Sequence, residues 1–222
     1  MATFSKKEAI EYGWKTVKKD LKVFVLAALV LILVSGVPQM ISSSLSEQMK
    51  SNPSNEGVLG LFVFLLSIGM MILNLVISIG VIRFALKFID GKKGEIKDLF
   101  ATNKKEVWQY FIGSLLYGLR VLLGYILLII PGVIWSIKYS QYSYLIVDKG
   151  MSPSEAIKKS GEITEGNKMN LFLFGLLLGL INIAGALLLL VGLLVTIPLT
   201  LIAQAYVYRK LLGSTSTSPV KA

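Results

Sequence analysis

Residues 107–147 read VWQYFIGSLLYGLRVLLGYILLIIPGVIWSIKYSQYSYLIV, and this stretch decides the fold. It is 41 residues long and carries only two charged side chains, Arg120 and Lys138. A single helix of that length would measure about 60 Å, roughly twice the thickness of a bilayer core. The chain must therefore fold back. We predict the reversal at Pro131-Gly132, because proline cannot continue a hydrogen-bonded helix and glycine relaxes the backbone that follows it. The stretch predicts a hairpin of two membrane helices.

The composition of the 222-residue chain agrees with a membrane protein. Hydrophobic residues make up 54% of it, and its mean hydropathy of +0.69 is high for a soluble globular domain. There is no cysteine and no histidine, so we expect no disulfide, no metal site and no cofactor held by those ligands. The net charge of +10 is expected to face anionic lipid headgroups rather than nucleic acid, because basic residues gather on the cytoplasmic side of multi-pass proteins.

The same length argument, applied along the chain, predicts an all-α, polytopic integral membrane protein with six transmembrane helices in three hairpins. These helices form a single membrane domain over residues 1–212, and residues 213–222 are expected to be a disordered cytoplasmic tail. The spans are expected at about residues 21–41, 58–82, 107–130, 133–147, 171–190 and 193–208.

Shorter segments are expected between the spans. Ser5–Asp20 is predicted to be an amphipathic helix at the membrane surface, with ordinary packing against the rest of the protein as the alternative. Residues 42–57 are predicted to be a polar loop, and residues 96–100 a second surface helix. Ser152, followed by Pro153 and Glu155, is a helix start with a capping box. The last hairpin is expected to turn near Val191–Leu193, with a kink at Pro198.

The distribution of charge predicts the orientation. Twenty of the 23 basic residues lie at the N-terminus, in residues 83–106, in residues 148–170 or at the C-terminus, whereas residues 42–57 contain one. Six spans place those four segments on the same side, which the excess of lysine and arginine identifies as cytoplasmic. We therefore expect an inner-membrane protein with both termini in the cytoplasm.

Arg120 is the sharpest functional candidate. It lies about eleven residues from the predicted reversal, near the middle of its span, where an unpartnered charge costs several kcal/mol. All thirteen acidic residues lie outside the predicted spans, so no carboxylate is expected at its depth. One interpretation is a structural tie in which Arg120 bonds backbone carbonyls or extends to the membrane surface. The other is a buried site for an anion or a lipid phosphate.

The helix after the reversal is unusually polar for a membrane span. Lys138 lies six residues from Pro131-Gly132, close enough to extend to the surface. Residues 133–147 also contain tryptophan, serines, glutamine and tyrosines, and a helix of this composition is expected to face the bundle interior or a water-filled cavity. An interfacial belt of tyrosines is the alternative. The candidate anion- or lipid-binding residues are Arg120, Lys138, Tyr139, Gln141 and Tyr142.

One part of the chain resembles a known group of proteins. The order Ile130-Pro131-Gly132-Val133-Ile134, a tyrosine-rich helix, residues 154–160 (SEAIKKS) and residues 165–168 (EGNK) is similar to a prokaryotic family of six-helix membrane proteins of unknown function. Residues 192–199 (GLLVTIPL) belong to the same likeness, which covers about residues 107–212. That family resembles the membrane domain that precedes the catalytic domain in some glycerophosphodiester phosphodiesterases. The resemblance implies a six-helix bundle linked to lipid or envelope physiology, and it implies no catalytic residue.

These observations predict a non-enzymatic membrane protein that binds anionic lipid or another anion within its helix bundle. No nucleophile-and-base pair, glycine-rich phosphate loop or metal-ligand cluster is apparent in the sequence, so no catalytic residue is assigned. Two alternatives stay open. One is a small transporter or channel in which Arg120, Lys138 and Gln141 line a path for an anionic solute. The other is a structural subunit or scaffold that is stable beside a copy of itself or another membrane protein.

Overall fold

The computed structural model describes residues 4–51, 56–188 and 191–213, and within those ranges it contains helices and no strand. The all-α class is therefore confirmed. The α-helices are α1 (Lys6–Lys19), α2 (Leu21–Ser51), α3 (Glu56–Ile89), α4 (Lys104–Leu127), α5 (Ile129–Lys138), α6 (Tyr142–Lys149), α7 (Pro153–Ile163), α8 (Lys168–Leu187) and α9 (Leu193–Leu211), and a short 3-10 helix covers Ile96–Leu99.

Four helices in the described ranges are long and apolar enough to cross a membrane. They cover Leu21–Leu45, Gly57–Ile89, Lys104–Leu127 and Lys168–Leu187. Large apolar side chains on their outer faces are exposed, among them Leu61, Leu123 and Leu180. Contiguous exposed apolar surface of this kind is typical of contact with lipid, so the structure supports a membrane protein. The predicted spans at 133–147 and 193–208 correspond to α5–α6 and α9, which are not among these four.

Helices α2 and α3 are longer than the sequence predicted. Helix α2 continues to Ser51, so the prediction of a loop from residue 42 was wrong for residues 42–51. Serine and glutamine lower helix propensity only slightly, and they do not end a helix that is already formed. Helix α3 contains 34 residues and is about 51 Å long. It extends seven residues past Ile82, which brings Arg83 and Lys87 to the end of the bundle.

The chain reverses between α4 and α5 three residues earlier than predicted. Leu128, with extended backbone angles, separates the two helices. Pro131 lies in the first turn of α5, where an amide N–H has no helical acceptor and its loss costs nothing. Gly132 is needed for packing rather than for the turn, because a Cβ at this position would lie 2.5 Å from the ring of Tyr125. The assignment of Pro131 and Gly132 as the point of reversal was therefore wrong.

The second reversal lies where the sequence placed it. Helix α8 ends at Leu187 and α9 begins at Leu193, with residues 189–190 outside the described ranges. The backbones of Gly185 and Gly192 approach so closely that a Cβ on Gly192 would lie 2.4 Å from the carbonyl oxygen of Gly185, and a Cβ on Gly185 would lie 2.4 Å from Thr196 Oγ1. Pro198 lies inside α9. The predicted disordered tail, apart from Gly213, falls on residues outside the described ranges.

Helix α1 packs on α9 rather than lying free on a surface. Its N-cap is the predicted one, since Ser5 Oγ accepts a hydrogen bond from the backbone N–H of Glu8. The contact with α9 is close: a Cβ on Gly13 would lie 2.7 Å from the carbonyl oxygen of Leu199. Trp14, the next residue along the helix, is exposed. The alternative of packing within the protein is thus observed for the face that carries Gly13.

Ion pairs join the ends of several helices at one end of the bundle. Arg83 on α3 pairs with Glu106 on α4 at 2.5 Å, and Lys87 pairs with Asp98 of the 3-10 helix at 2.6 Å. Burial alone would raise the pKa of Asp98, but hydrogen bonds from the backbone N–H of Glu95 and from Lys87 outweigh it and hold that pKa below its ordinary value. These pairs fix the ends of α3 and α4 against each other.

A second network at this end is centred on Arg209 of α9. Its guanidinium donates to both carboxylate oxygens of Asp90, at 3.0 and 2.7 Å, and to Asp148 at 2.6 Å. Tyr208 Oη also donates to Asp148, at 2.9 Å. Burial raises the pKa of Asp148, yet the hydrogen bonds from Arg209 and Tyr208 outweigh burial and keep it lowered. Arg209 therefore ties α9 to the C-terminal ends of α3 and α6.

Candidate anion site

The polar helix predicted at 133–147 is broken in the middle. Helix α5 ends at Lys138 and α6 begins at Tyr142, so the prediction of one continuous helix was wrong. Helix α7 supplies the hydrogen bonds that the break removes: the carbonyl of Lys138 accepts from Ser160 Oγ at 3.1 Å and from Thr164 Oγ1 at 2.9 Å. The N–H of Gln141 donates to Ser160 Oγ at 3.0 Å. Discontinuous helices are stable in membrane proteins when neighbouring hydroxyl groups replace the lost bonds in this way.

Arg120 and Lys138 converge on the ring of Tyr139 at this break. The guanidinium carbon of Arg120 lies 5.8 Å from the ring centroid, and Lys138 Nζ lies 5.5 Å from it. Both distances are within the range of a cation–π contact, which is worth up to about 2 kcal/mol where water is scarce. The quadrupole of the Tyr139 ring attracts each cation but does not neutralise its charge. Two positive charges therefore meet at one aromatic ring.

The position of Leu128 in the chain explains why Arg120 and Lys138 lie at similar distances from the tip of the hairpin. Arg120 precedes Leu128 by eight residues, and Lys138 follows it by ten. At 1.5 Å per residue, the side chains lie about 12 and 15 Å from the tip of the hairpin. A reversal at Pro131-Gly132 would have placed them at depths about 7 Å apart.

Neither cation has a carboxylate partner among the described residues. Arg120 Nη1 reaches the carbonyl of Leu116 at 3.4 Å, which is longer than a normal N–H···O bond. No ion pair of Lys138 is found in the same part of the chain. Both side chains are half-buried. A guanidinium and an ammonium thus lie close to one aromatic ring without a carboxylate partner in the described ranges, and both groups are ones that bind anions.

Tyr142 and Gln141 lie away from this pair. The Tyr142 ring stacks on Tyr117 at 4.9 Å between centroids, and its hydroxyl donates to Ser114 Oγ at 3.1 Å. Tyr142 thus joins α6 to α4 as part of the packed core. Gln141 lines a cavity of about 730 Å³ whose wall includes neither Arg120 nor Lys138. The structure therefore brings together three of the five predicted residues, Arg120, Lys138 and Tyr139.

The sequence analysis missed the role of Arg209. It placed all acidic residues outside the spans and assigned them no partner, whereas Asp90, Asp98 and Asp148 are each paired with a basic side chain. The sequence feature that could have indicated this role is the position of Arg209, which follows Tyr208 directly and is the first charged residue after a long apolar run. A cation at that position is held at the edge of the bundle and needs a partner from another helix end.

No family model matches the chain. Curated proteins of Mycobacterium bovis and Mycobacterium tuberculosis, each described as uncharacterized, are 28% identical to it over 98% of the chain and 72% of their own length. No solved structure matches the chain. The similarity to the mycobacterial proteins extends over nearly the whole chain, so they share more with it than one hairpin.

Proposed function

We propose that this is a multi-pass membrane protein that binds a phosphate-type anion between Arg120 and Lys138. The observation that carries the proposal is the convergence of both cations on the Tyr139 ring with no carboxylate within reach in the described ranges. An uncompensated pair of like charges at membrane depth is costly, and a bound anion removes that cost. Phosphate suits the pair because guanidinium offers a planar fork of donors and ammonium a point charge.

The anion has two candidate sources, the headgroup of an anionic lipid and a free anion. The lipid source is favoured by the exposed apolar surface of α4, where Leu115, Leu119 and Leu122 flank the helix turn that carries Arg120. Acyl chains would pack on that surface while the phosphate lies at the cations. A free anion would instead make the site part of a transport path, as in the transporter alternative.

The proposed topology has six spans in three hairpins, with both termini in the cytoplasm of a bacterial inner membrane. Helices α5–α6 and α9 would complete the spans beyond the four long ones. The ion pairs of Arg83 and Arg209 support a common side for the lysine-rich segments, because they hold the ends of α3, α4, α6 and α9 together. That side would be cytoplasmic by the excess of basic residues.

The test is native mass spectrometry of gently extracted protein, comparing the wild type with Arg120→Gln and Lys138→Gln. Lys93→Gln is the matched control, because Lys93 is exposed and no ion pair of it is found among the described residues. We expect a retained phospholipid adduct on the wild type and the control, and at least a tenfold weaker adduct on both site variants. Equal adducts on all four folded proteins would refute the site and leave Arg120 as a structural tie.

A second arm separates the two sources of the anion. Inorganic phosphate at millimolar concentration is added to delipidated protein, and phosphate uptake is measured in proteoliposomes of neutral lipid. Phosphatidic acid that binds in competition with a retained phospholipid, without phosphate uptake, supports the lipid source. Phosphate uptake that depends on Arg120 would overturn the lipid source and establish the transporter alternative.

A further inference from the structure

A cavity on the other side of the broken helix has a different chemistry. It has a volume of about 730 Å³ and lies between the α5–α6 break and helix α8, with part of α9 at its edge. One wall is polar and contains Tyr117, Ser136, Ser140, Gln141 and Ser143, and Gln204 of α9 adds a second amide. The wall from α8 is apolar. No charged side chain lines the cavity in the part of the chain that the structure describes.

Gln141 lines this wall and contains an unused hydrogen-bond acceptor that is itself buried. The residue is 9% exposed, and its Oε1 atom has no hydrogen-bond partner among the described residues. The orientation of the amide follows from Ser140, whose single hydroxyl hydrogen is donated to the carbonyl of Ile137 at 2.8 Å. Ser140 Oγ can then only accept, and it accepts from Gln141 Nε2 at 3.0 Å. Oε1 is therefore the free atom, and it needs a donor.

We propose that this cavity binds an uncharged lipid with a free hydroxyl group, of the diacylglycerol type, whose hydroxyl donates to Gln141 Oε1 once the amide turns this buried atom into the cavity. An anionic headgroup is disfavoured because its oxygens would face a carbonyl oxygen with no cation in the lining. The apolar wall of α8 accepts the upper acyl chains, and exposed Leu176 and Leu180 continue that wall towards the lipid. The volume suits a headgroup and the first part of its chains. Neither Arg120 nor Lys138 of the anion site lines this cavity.

The glycines of α8 offer a way to fill the cavity without disturbing the fold. Gly175 and Gly179 line it, and a Cβ added at either would meet no atom within 4 Å. Leucine at Gly179 therefore extends into open space and has a higher helix propensity than glycine. Gly118 on α4 is the matched control, because it is also exposed and without neighbours but does not line the cavity.

The experiment measures binding of 1,2-dioleoylglycerol to the full chain in nanodiscs of neutral phospholipid, by competition with a photoactivatable diacylglycerol. We expect Gly179→Leu and Gln141→Leu to weaken binding at least tenfold, and Gly118→Leu to leave it unchanged. The analogue 1,2-dioleoyl-3-acetylglycerol, which has no donor, should bind the wild type at least tenfold more weakly than dioleoylglycerol. The wild type alone thus tests the hydrogen bond, whatever the folding of the variants.

Three outcomes would overturn the proposal. The first is equal binding of dioleoylglycerol and its acetylated analogue. The second is equal loss in Gly179→Leu and Gly118→Leu. The third is preference of the Gln141 site for dioleoylphosphatidic acid. Arg120→Gln should not change dioleoylglycerol binding, so failure of this proposal is distinguishable from failure of the anion site.

Discussion

Replacing Arg209 by methionine should destabilise the protein strongly. Arg209 donates to Asp148 at 2.6 Å and to both oxygens of Asp90, and its side chain is only 10% exposed. Methionine fills much of the same volume but removes the guanidinium that pairs with both carboxylates. The loss at Asp148 is then the larger one, because Asp148 is 12% exposed. Among the described residues it retains a hydrogen bond from Tyr208 and a longer ion pair with Lys149, which is 44% exposed.

The magnitude follows from how deeply each partner is buried. Removing one partner of a buried ion pair costs about 3–5 kcal/mol, since the other charge stays buried and unpaired. Asp90 is 43% exposed, so water screens its part of the loss. We therefore expect about 3 kcal/mol, carried mainly by Asp148. At about 2–4 °C per kcal/mol for a chain of this size, the Tm should fall by about 6–12 °C.

Thermal unfolding in detergent, followed by the fluorescence of the three tryptophans, measures this change. Lys159→Ala removes an exposed pair with Glu162 and is the control, with an expected effect of less than about 0.5 kcal/mol. The double variant Arg209→Met with Asp148→Asn should recover part of the loss, because it removes the unpaired charge. If Arg209→Met melts at the same temperature as the control, the network does not stabilise the bundle and the reasoning fails.

Three further predictions follow from single contacts or from the charge distribution. Because the pKa of Asp148 is held below its ordinary value of 3.8, its contribution to stability is complete above that pH and is lost as the pH falls below it. Asp148→Asn should therefore melt at a lower Tm than the wild type at pH 6, with a difference that narrows below about pH 4. Gly124→Ala should cost about 1–3 kcal/mol because its Cβ would meet the backbone of α5, whereas Gly118→Ala should be neutral or stabilising, as unfolding in detergent will show. The chain has no cysteine, so Glu47→Cys and Lys93→Cys test the orientation directly. A membrane-impermeant maleimide should label the Glu47→Cys variant in intact cells and the Lys93→Cys variant only after permeabilisation. The reverse labelling pattern would contradict cytoplasmic termini.

The helices themselves were largely predictable. Long uncharged runs, the Ser5 cap and the Ser152 capping box each act locally, so the sequence contains the whole cause. The structure has α1 starting at Lys6 and α7 starting at Pro153, as these two signals predict. The end of α2 was not predictable in the same way, because a run of serines weakens a helix without terminating it.

The site was less predictable because its geometry depends on two long-range effects. The first is the position of the reversal, which the approach of Gly124 to Gly132 moves to Leu128. The second is the break after Lys138, which depends on hydroxyl groups from α7 about twenty residues later. Proline and glycine suggested a reversal near the correct place. These two residues did not show that Arg120 and Lys138 would lie at similar distances from the reversal.

The break between α5 and α6 is the feature that connects the two proposed sites. An unbroken helix over residues 133–147 would advance by 100° per residue and continue past α7 with its own hydrogen bonds satisfied. The turn at residues 139–141 instead directs Tyr139 towards Arg120 and places Gln141 in the wall of the cavity beside α8. Ser160 holds this turn from both sides, since it donates to the carbonyl of Lys138 and accepts from the N–H of Gln141. Ser160→Ala should therefore weaken phosphate binding at Arg120 and dioleoylglycerol binding at Gln141 together, although Ser160 belongs to neither site. If Ser160→Ala weakens the binding of only one of the two ligands, the two sites do not depend on a common turn.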